Sequence, residues 1–283
     1  MSTVDPLAGV SAIIQAMQVG ATAILGLAPL LCAVAACGET RGTLVTTGDG
    51  WRPALAASWQ IQLTGQLDTV VDANIYIVDL FDTTEGQIAA LRSAGRRVLC
   101  YVSVGTLEPW RSDAADFPAE AVGTANASYP DERWLDIRHP MVRTRMAARM
   151  DTGRQKGCDG VELSSVSSAG ENTGFPLTAA DVLDYARFLA SESRRLGLSP
   201  GIAGSGDRAA TLEPEFDWAF TQGCLAAARC GAMAPFINAQ KVVFAVEFGT
   251  EADLPSICPL AQAAGVNALI KSRSLDAFRA PCS

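Results

Sequence analysis

Eight short, strand-like apolar runs separated by helix-compatible stretches organise the chain from residue 59 onward. They fall at 59–63, 74–80, 97–104, 160–166, 200–205, 217–222, 241–248 and 267–272. Apolar runs of this length bounded by turn residues read as buried strands, and their alternation with amphipathic stretches reads as repeated βα units. Thr178 is placed to cap one helix, with Asp181 three residues on, Val182, Tyr185, Ala186 and Leu189 repeating along one face, and Gly197 ending it. Thr83 or Thr84 starts another that runs through Ile88 and Leu91 to Gly95. Eight such units over about 230 residues suit one α/β domain, a single (β/α)8 TIM barrel. An open doubly wound sheet needs a glycine-rich phosphate turn after an early strand. Gly204-Ser205-Gly206 comes at the fifth run and lacks the third glycine.

The front of the chain follows a different pattern. No charged residue occurs from Pro6 to Gly38, and Val34-Ala35-Ala36 leads directly into Cys37. Small residues before a cysteine match the site cut by bacterial lipoprotein signal peptidase, which leaves the cysteine lipidated. This divides the chain into a signal segment at 1–36, a tether at 37–50 and a barrel at 51–283, exported as a cell-envelope lipoprotein held to the membrane through Cys37. The segment lacks a positively charged start, since Asp5 is the only charge before Glu39. A start at Met17, a retained membrane helix or a buried core helix are the alternatives.

Composition narrows the function. The chain carries 22 Lys and Arg against 30 Asp and Glu, a net charge of −8, with no cluster of basic and aromatic residues, which excludes a nucleic-acid surface. His139 is the one histidine. It precedes Pro140 at a helix start and reads as a cap, so neither a His-rich metal centre nor a Ser-His-Asp mechanism is expected, and no cofactor. Beyond Cys37, six cysteines remain. In an oxidising compartment Cys224 with Cys230 and Cys258 with Cys282 are the expected disulfides, while Cys100 and Cys158, in or beside apolar runs, read as buried thiols.

In a barrel, chemistry belongs to the C-terminal ends of the strands. Those positions read Gln62, Asp79 with Asp82, Ser103 with Glu108, Glu162 with Ser164 and Ser165, Asp207, Gln222, Glu247 and Lys271. A carboxylate-lined mouth without histidine or metal-ligand spacing suits glycoside hydrolysis, where two carboxyls divide the acid and base or nucleophile roles. Helix capping alone accounts for Asp82 and Asp207. Arg111 beside Asp113 and Arg138 beside Asp136 read as ion pairs, and the serines at 164–168 as a hydrophilic loop.

The words around these positions resemble glycoside hydrolase family 114, the endo-α-1,4-polygalactosaminidase family. They include Trp59-Gln60-Ile61-Gln62-Leu63, Asp79-Leu80-Phe81-Asp82-Thr83, and Cys100-Tyr101-Val102-Ser103-Val104-Gly105-Thr106 followed by Glu108 and Trp110-Arg111-Ser112-Asp113. Arg133-Trp134-Leu135-Asp136-Ile137-Arg138, Gly157-Cys158-Asp159-Gly160-Val161-Glu162, Gly174-Phe175-Pro176-Leu177-Thr178 and Phe216-Asp217-Trp218-Ala219 follow in order. The resemblance implies a (β/α)8 barrel acting on an α-1,4-linked galactosamine polymer, with an Asp after the fourth strand and a Glu after the sixth as the acid pair. Those two positions here are Ser164 and Gln222, and a Lys-Asn pair common at the end of the fifth strand is Ala203-Gly204.

Serine and glutamine supply neither carboxylate nor carboxylic acid, so the family mechanism fails on this pair unless other acids replace it. Glu162 shares strand parity with Ser164, while Glu247 and Asp79 end other strands, and these three are the candidate substitutes. The other expectation is a monomeric surface protein that binds a polysaccharide or amino-sugar oligomer without cleaving it. Its aromatic platforms would be Tyr101, Trp110 and Trp134, with Asp82, Glu108 and Asp136 holding hydroxyl or ammonium groups. Core packing is the competing role for Trp134 and Trp59.

Overall fold

The computed structural model describes residues 50–282 except Ser167 and Ser205, and leaves the side chain of Asp207 undescribed. The segment at 1–36, Cys37 and the tether up to residue 49 lie outside these residues. No described helix is long and apolar enough to cross a membrane.

The eight expected runs are eight strands: β1 Trp59–Gln62, β2 Ile75–Asp79, β3 Arg97–Ser103, β4 Gly160–Ser164, β5 Ser199–Ala203, β6 Trp218–Gln222, β7 Val243–Phe248 and β8 Asn267–Lys271. Each pairs in parallel with the next, in one curled sheet ordered β1 to β8. Alternate residues face inward. Trp59, Ile61, Ile75, Ile77, Leu99, Trp218, Phe220, Phe244, Val246 and Leu269 form one buried inner cluster. The opposite parity packs against the helices in a second, larger cluster that includes Val78, Val98, Val102, Val161, Leu163 and Ala245. Gly201 has to be glycine, because a Cβ there would lie 2.1 Å from the Trp218 ring.

The helices are α1 Glu85–Ser93, α2 Pro140–Lys156, α3 Ala179–Arg195, α4 Ala209–Leu212, α5 Ala234–Asn238 and α6 Leu254–Ala264. Thr84 and Thr178 cap α1 and α3 in reciprocal capping boxes, with Gln87 and Asp181 as the returning side chains. His139 Nδ1 accepts from Met141 N at the start of α2.

The TIM-barrel-like expectation holds in strand number and order but needs correction in two respects. No helix follows β1, where a loop leads to β2, and none follows β8 among the described residues. No ladder joins β8 to β1 either. The C-terminal segment occupies that seam: Leu63 N donates to Leu275 O (2.8 Å), Gln60 Nε2 to Ala277 O (3.1 Å) and Arg279 Nε to Trp59 O (2.7 Å), and the strand Ala280–Pro281 runs antiparallel to β8. Side chains complete the bridge, with Trp59 Nε1 donating to Asn267 Oδ1 (2.9 Å) and Lys271 Nζ to Gln60 Oε1 (3.0 Å), Asp276 O and Phe278 O.

Three disulfides form: Cys224–Cys230, Cys258–Cys282 and Cys100–Cys158. The third corrects the reading of Cys100 and Cys158 as thiols. Cys100 lies on the outer face of β3, and the turn after α2 brings Cys158 back beside it, 58 residues on.

Candidate functional site

The residues after β3 make a long excursion over the mouth before α2 begins. Its strands Thr106–Leu107, Val122–Ala125 and Arg133–Leu135 form a small antiparallel sheet. It sits tightly against the loop after β4. A Cβ on Gly105 would lie 1.7 Å from Ser165 O, one on Gly123 would lie 1.9 Å from Thr173 O, and Thr124 N donates to Thr173 O at 3.0 Å. Ser165 itself takes φ 62°, so the chain turns sharply as soon as β4 ends.

Arg111, on this excursion, gathers the acids of the β2–β3 side. Its guanidinium donates to Asp79 (2.6 and 3.0 Å), Glu108 (2.9 and 3.0 Å) and Asp82 (3.2 Å) and lies over the Phe81 ring. Burial works against its charge, but the hydrogen bonds to Glu108 and Asp79 outweigh that and raise its pKa further. Asp79 also accepts from Phe81 N and Asp82 N. Asp113, the partner expected for Arg111, instead pairs with Arg149 at 2.8 Å. Arg138 does pair with Asp136 at 2.8 Å, as expected.

Glu162 faces inward from β4 and is 0% exposed. Ser164 Oγ donates to its Oε1 at 3.0 Å, which bears out their shared parity. Burial pushes the Glu162 carboxyl up to about 8, and the Ser164 bond offsets this only in part. Its Oε2 has no partner among the described residues, and neither does Trp218 Nε1 on the other side of Gly201 in the same layer.

Tyr101 stands opposite Glu162 on β3. Burial raises its phenol well above the ordinary value, and the charges of Glu108, Glu162, Glu132 and Asp79 raise it further. In the strand register Tyr101 lies between Asp79 of β2 and Glu162 of β4. Sequence reasoning missed Glu132, which reaches the site through a relay: Ser103 Oγ and Thr106 Oγ1 share a hydrogen at 2.6 Å, and Thr106 donates to Glu132 at 2.5 Å. Burial raises the Glu132 carboxyl as well, with Glu108 adding to the rise. It stands in a polar stretch with no strand pattern to place it.

The remaining candidates divide. Glu247 has the outward parity of β7 and accepts from Leu225 N at 2.7 Å and Ala226 N at 3.4 Å, so it anchors the loop after β6 and does not line the mouth. Trp134 is 7% exposed within the small sheet. Trp110, at 56%, and Tyr129, at 53%, are the exposed aromatics of the excursion, and Tyr129 was not singled out in the sequence. Burial raises the Tyr129 phenol and the charges of Glu132 and Glu162 raise it further, and Glu132 N donates to Tyr129 O at 2.9 Å. Gln222 is exposed at the end of β6, in a cleft of about 480 Å3. A larger cavity of about 580 Å3 opens at the opposite, N-terminal end of the strands and has no acid among the described residues that line it. Among the described residues no three metal-ligating side chains are grouped to hold an ion.

A family model described as glycoside-hydrolase family GH114 matches residues 41–283. The chain belongs to glycoside hydrolase family 114. Among solved structures, Aspergillus fumigatus Ega3 in complex with galactosamine is 33% identical, with a TM-score of 0.78 over 82% of this chain and 97% of that one. The glycoside hydrolase domain of PelA from Pseudomonas aeruginosa shares the fold at 14% identity, with a TM-score of 0.64 over 79% of this chain and 98% of its own. No curated protein matches the chain. Within family 114, the positions where the resemblance implies an acid pair carry the Ser164 hydroxyl and the Gln222 amide.

Proposed function

We propose that this family 114 protein holds a galactosamine-containing polysaccharide in the mouth around Tyr101 and does not cleave it by the family mechanism. The observation that carries the reading is the fate of the acids. Serine and glutamine occupy the two family positions, Asp79 is locked to Arg111, and Glu247 is turned outward onto backbone amides. Beside Tyr101, the carboxylates of Asp79, Asp82 and Glu108 outnumber the one guanidinium, that of Arg111, which they share. Such a surface favours a polymer bearing ammonium groups, and the net charge of −8 adds to the attraction. The exposed rings of Trp110 and Tyr129 offer faces on which sugars stack. Galactosamine bound to Ega3 supports the amino sugar as the unit recognised.

A second reading rests on Glu162. A carboxyl raised to about 8 carries a proton at neutral pH, which is the state a general acid needs. In that reading a hydrolase has been rebuilt around Glu162, with Asp79 or Glu247 required to leave its present partners.

Incubating the purified full chain with partly deacetylated α-1,4-galactosamine oligomers separates the two, with binding and reducing-end release both measured. Binding without release supports the first. Release abolished by Glu162→Gln supports the second, and neither binding nor release overturns both. Three disulfides suit an oxidising compartment, and export through the 1–36 segment with lipidation at Cys37 belongs to the same proposal. Metabolic labelling with a fatty acid, lost in Cys37→Ser, tests it.

A further inference from the structure

The mouth is divided electrostatically. Over β2 and the excursion after β3 stand Asp79, Asp82 and Glu108 against Arg111, with Glu132 behind them. Over β6 the cleft of about 480 Å3 is lined by Thr221, Gln222, Arg229 and Ala232, with the Cys224–Cys230 bridge at its base. No acid is among the described residues that line it. Arg229 is exposed, and among the described residues its guanidinium has no acid or hydrogen-bond partner. Glu247, which holds the same loop from below, is already taken by Leu225 N and Ala226 N. Arg273, just past β8, is stacked 5.2 Å over Phe248 at the end of β7 and has no acid partner among the described residues.

A glutamate at position 222 would share this cleft with Arg229 and satisfy its charge from within the protein. The Gln222 amide removes that carboxylate and leaves five guanidinium donors facing a concave surface. A free guanidinium beside an amide donor is suited to a planar oxyanion. Resting on the reading that the other half holds an amino sugar, we infer that the cleft formed by Gln222 and Arg229 is a subsite for an anionic glycan substituent. The substituent is a uronic-acid carboxylate or a sulfate ester on a sugar neighbouring the galactosamine. The polymer recognised would then carry both charges, its ammonium groups toward Tyr101 and its oxyanions toward Arg229.

Calorimetric titration of the full chain with three oligosaccharides tests this: an all-galactosamine oligomer, one alternating galactosamine with galacturonate, and one alternating galactosamine with a sulfated galactose. The expected result is tighter binding of at least one mixed oligomer, with the two mixed ligands distinguishing carboxylate from sulfate. Arg229→Gln should weaken the mixed oligomer about tenfold or more while leaving the all-galactosamine oligomer within about twofold. Gln222→Glu, which supplies an internal carboxylate, should weaken the mixed oligomer in the same direction. Equal loss on all ligands, or no loss on the mixed ones, overturns the inference. Binding of a mixed oligomer that depends on Arg229, with no binding of the all-galactosamine oligomer, would keep the anionic subsite and overturn the amino-sugar reading.

Discussion

Ser164 Oγ donates to Glu162 Oε1 at 3.0 Å, so the hydroxyl at one family acid position is the sole described partner of a fully buried carboxyl. Burial, which the Ser164 bond offsets only in part, makes Glu162 a proton-linked element of the fold. Its pKa is about 8 in the native state against 4.5 unperturbed, so the folded chain holds a proton that the unfolded chain gives up between those values. The stability this contributes is complete below about pH 4.5 and is lost as the pH rises through about 8, a change on the order of a few kcal/mol. Lys271, lowered to about 8 by burial, acts in the opposite sense and only above that pH, where the folded chain binds fewer protons. Thermal midpoints from pH 5 to pH 8 should therefore fall more steeply in the natural chain than in Glu162→Gln. Parallel curves would mean that Glu162 is not held protonated.

The same pair marks how far the sequence could be read. The positions of the eight strands were legible because each is a short apolar run buried on both faces, and the Glu162–Ser164 contact followed from strand parity alone. Parity could also have excluded Glu247, since Phe244 and Val246 on the same strand face inward. The partners of Arg111 were not legible. The nearest acid in sequence is Asp113, but the excursion folds the guanidinium back onto Asp79 and Glu108, and only tertiary structure decides that. Glu132 was hidden for the same reason, in a polar loop that a small sheet lays over the mouth.

Arg111 is the counter-charge that lets Asp79 and Glu108 remain buried side by side. Removing one member of a buried ion pair leaves the other charge desolvated and typically costs about 3–5 kcal/mol. Arg111→Ala should lower the urea midpoint by that order, and Arg111→Lys by less, because an ammonium keeps the charge without the fork of donors. A loss under about 1 kcal/mol for the alanine variant would place these pairs with ordinary exposed ones.

Cys100–Cys158 ties the outer face of β3 to the turn that leads into β4, closing a loop with a sequence separation of 58 residues. That loop carries the whole excursion over the mouth. Chain-entropy arguments assign a crosslink of this span about 4 kcal/mol. The double variant Cys100→Ala/Cys158→Ala should be less stable by roughly that amount in urea. It should also lose more than the Cys224→Ala/Cys230→Ala pair, whose sequence separation is 6. The reverse order would show that the bridges act through native contacts and not through the unfolded chain.

If the missing acids are what separates this chain from a hydrolase, putting them back should restore turnover. Ser164→Asp places a carboxylate beside Glu162, whose proton at neutral pH gives it a hydrogen bond to donate, so the site can accept the charge. Gln222→Glu supplies the second group, at the exposed end of β6. General acid–base catalysis contributes roughly 100- to 10,000-fold per group, and the two roles depend on each other, so each single variant should stay near background. The double variant should release reducing ends from galactosamine oligomers at a rate about 100-fold or more above the natural chain. Intact oligomer binding with no release would mean that these two positions do not form a working pair here, and that the chemistry, if present, is carried by other acids of the mouth.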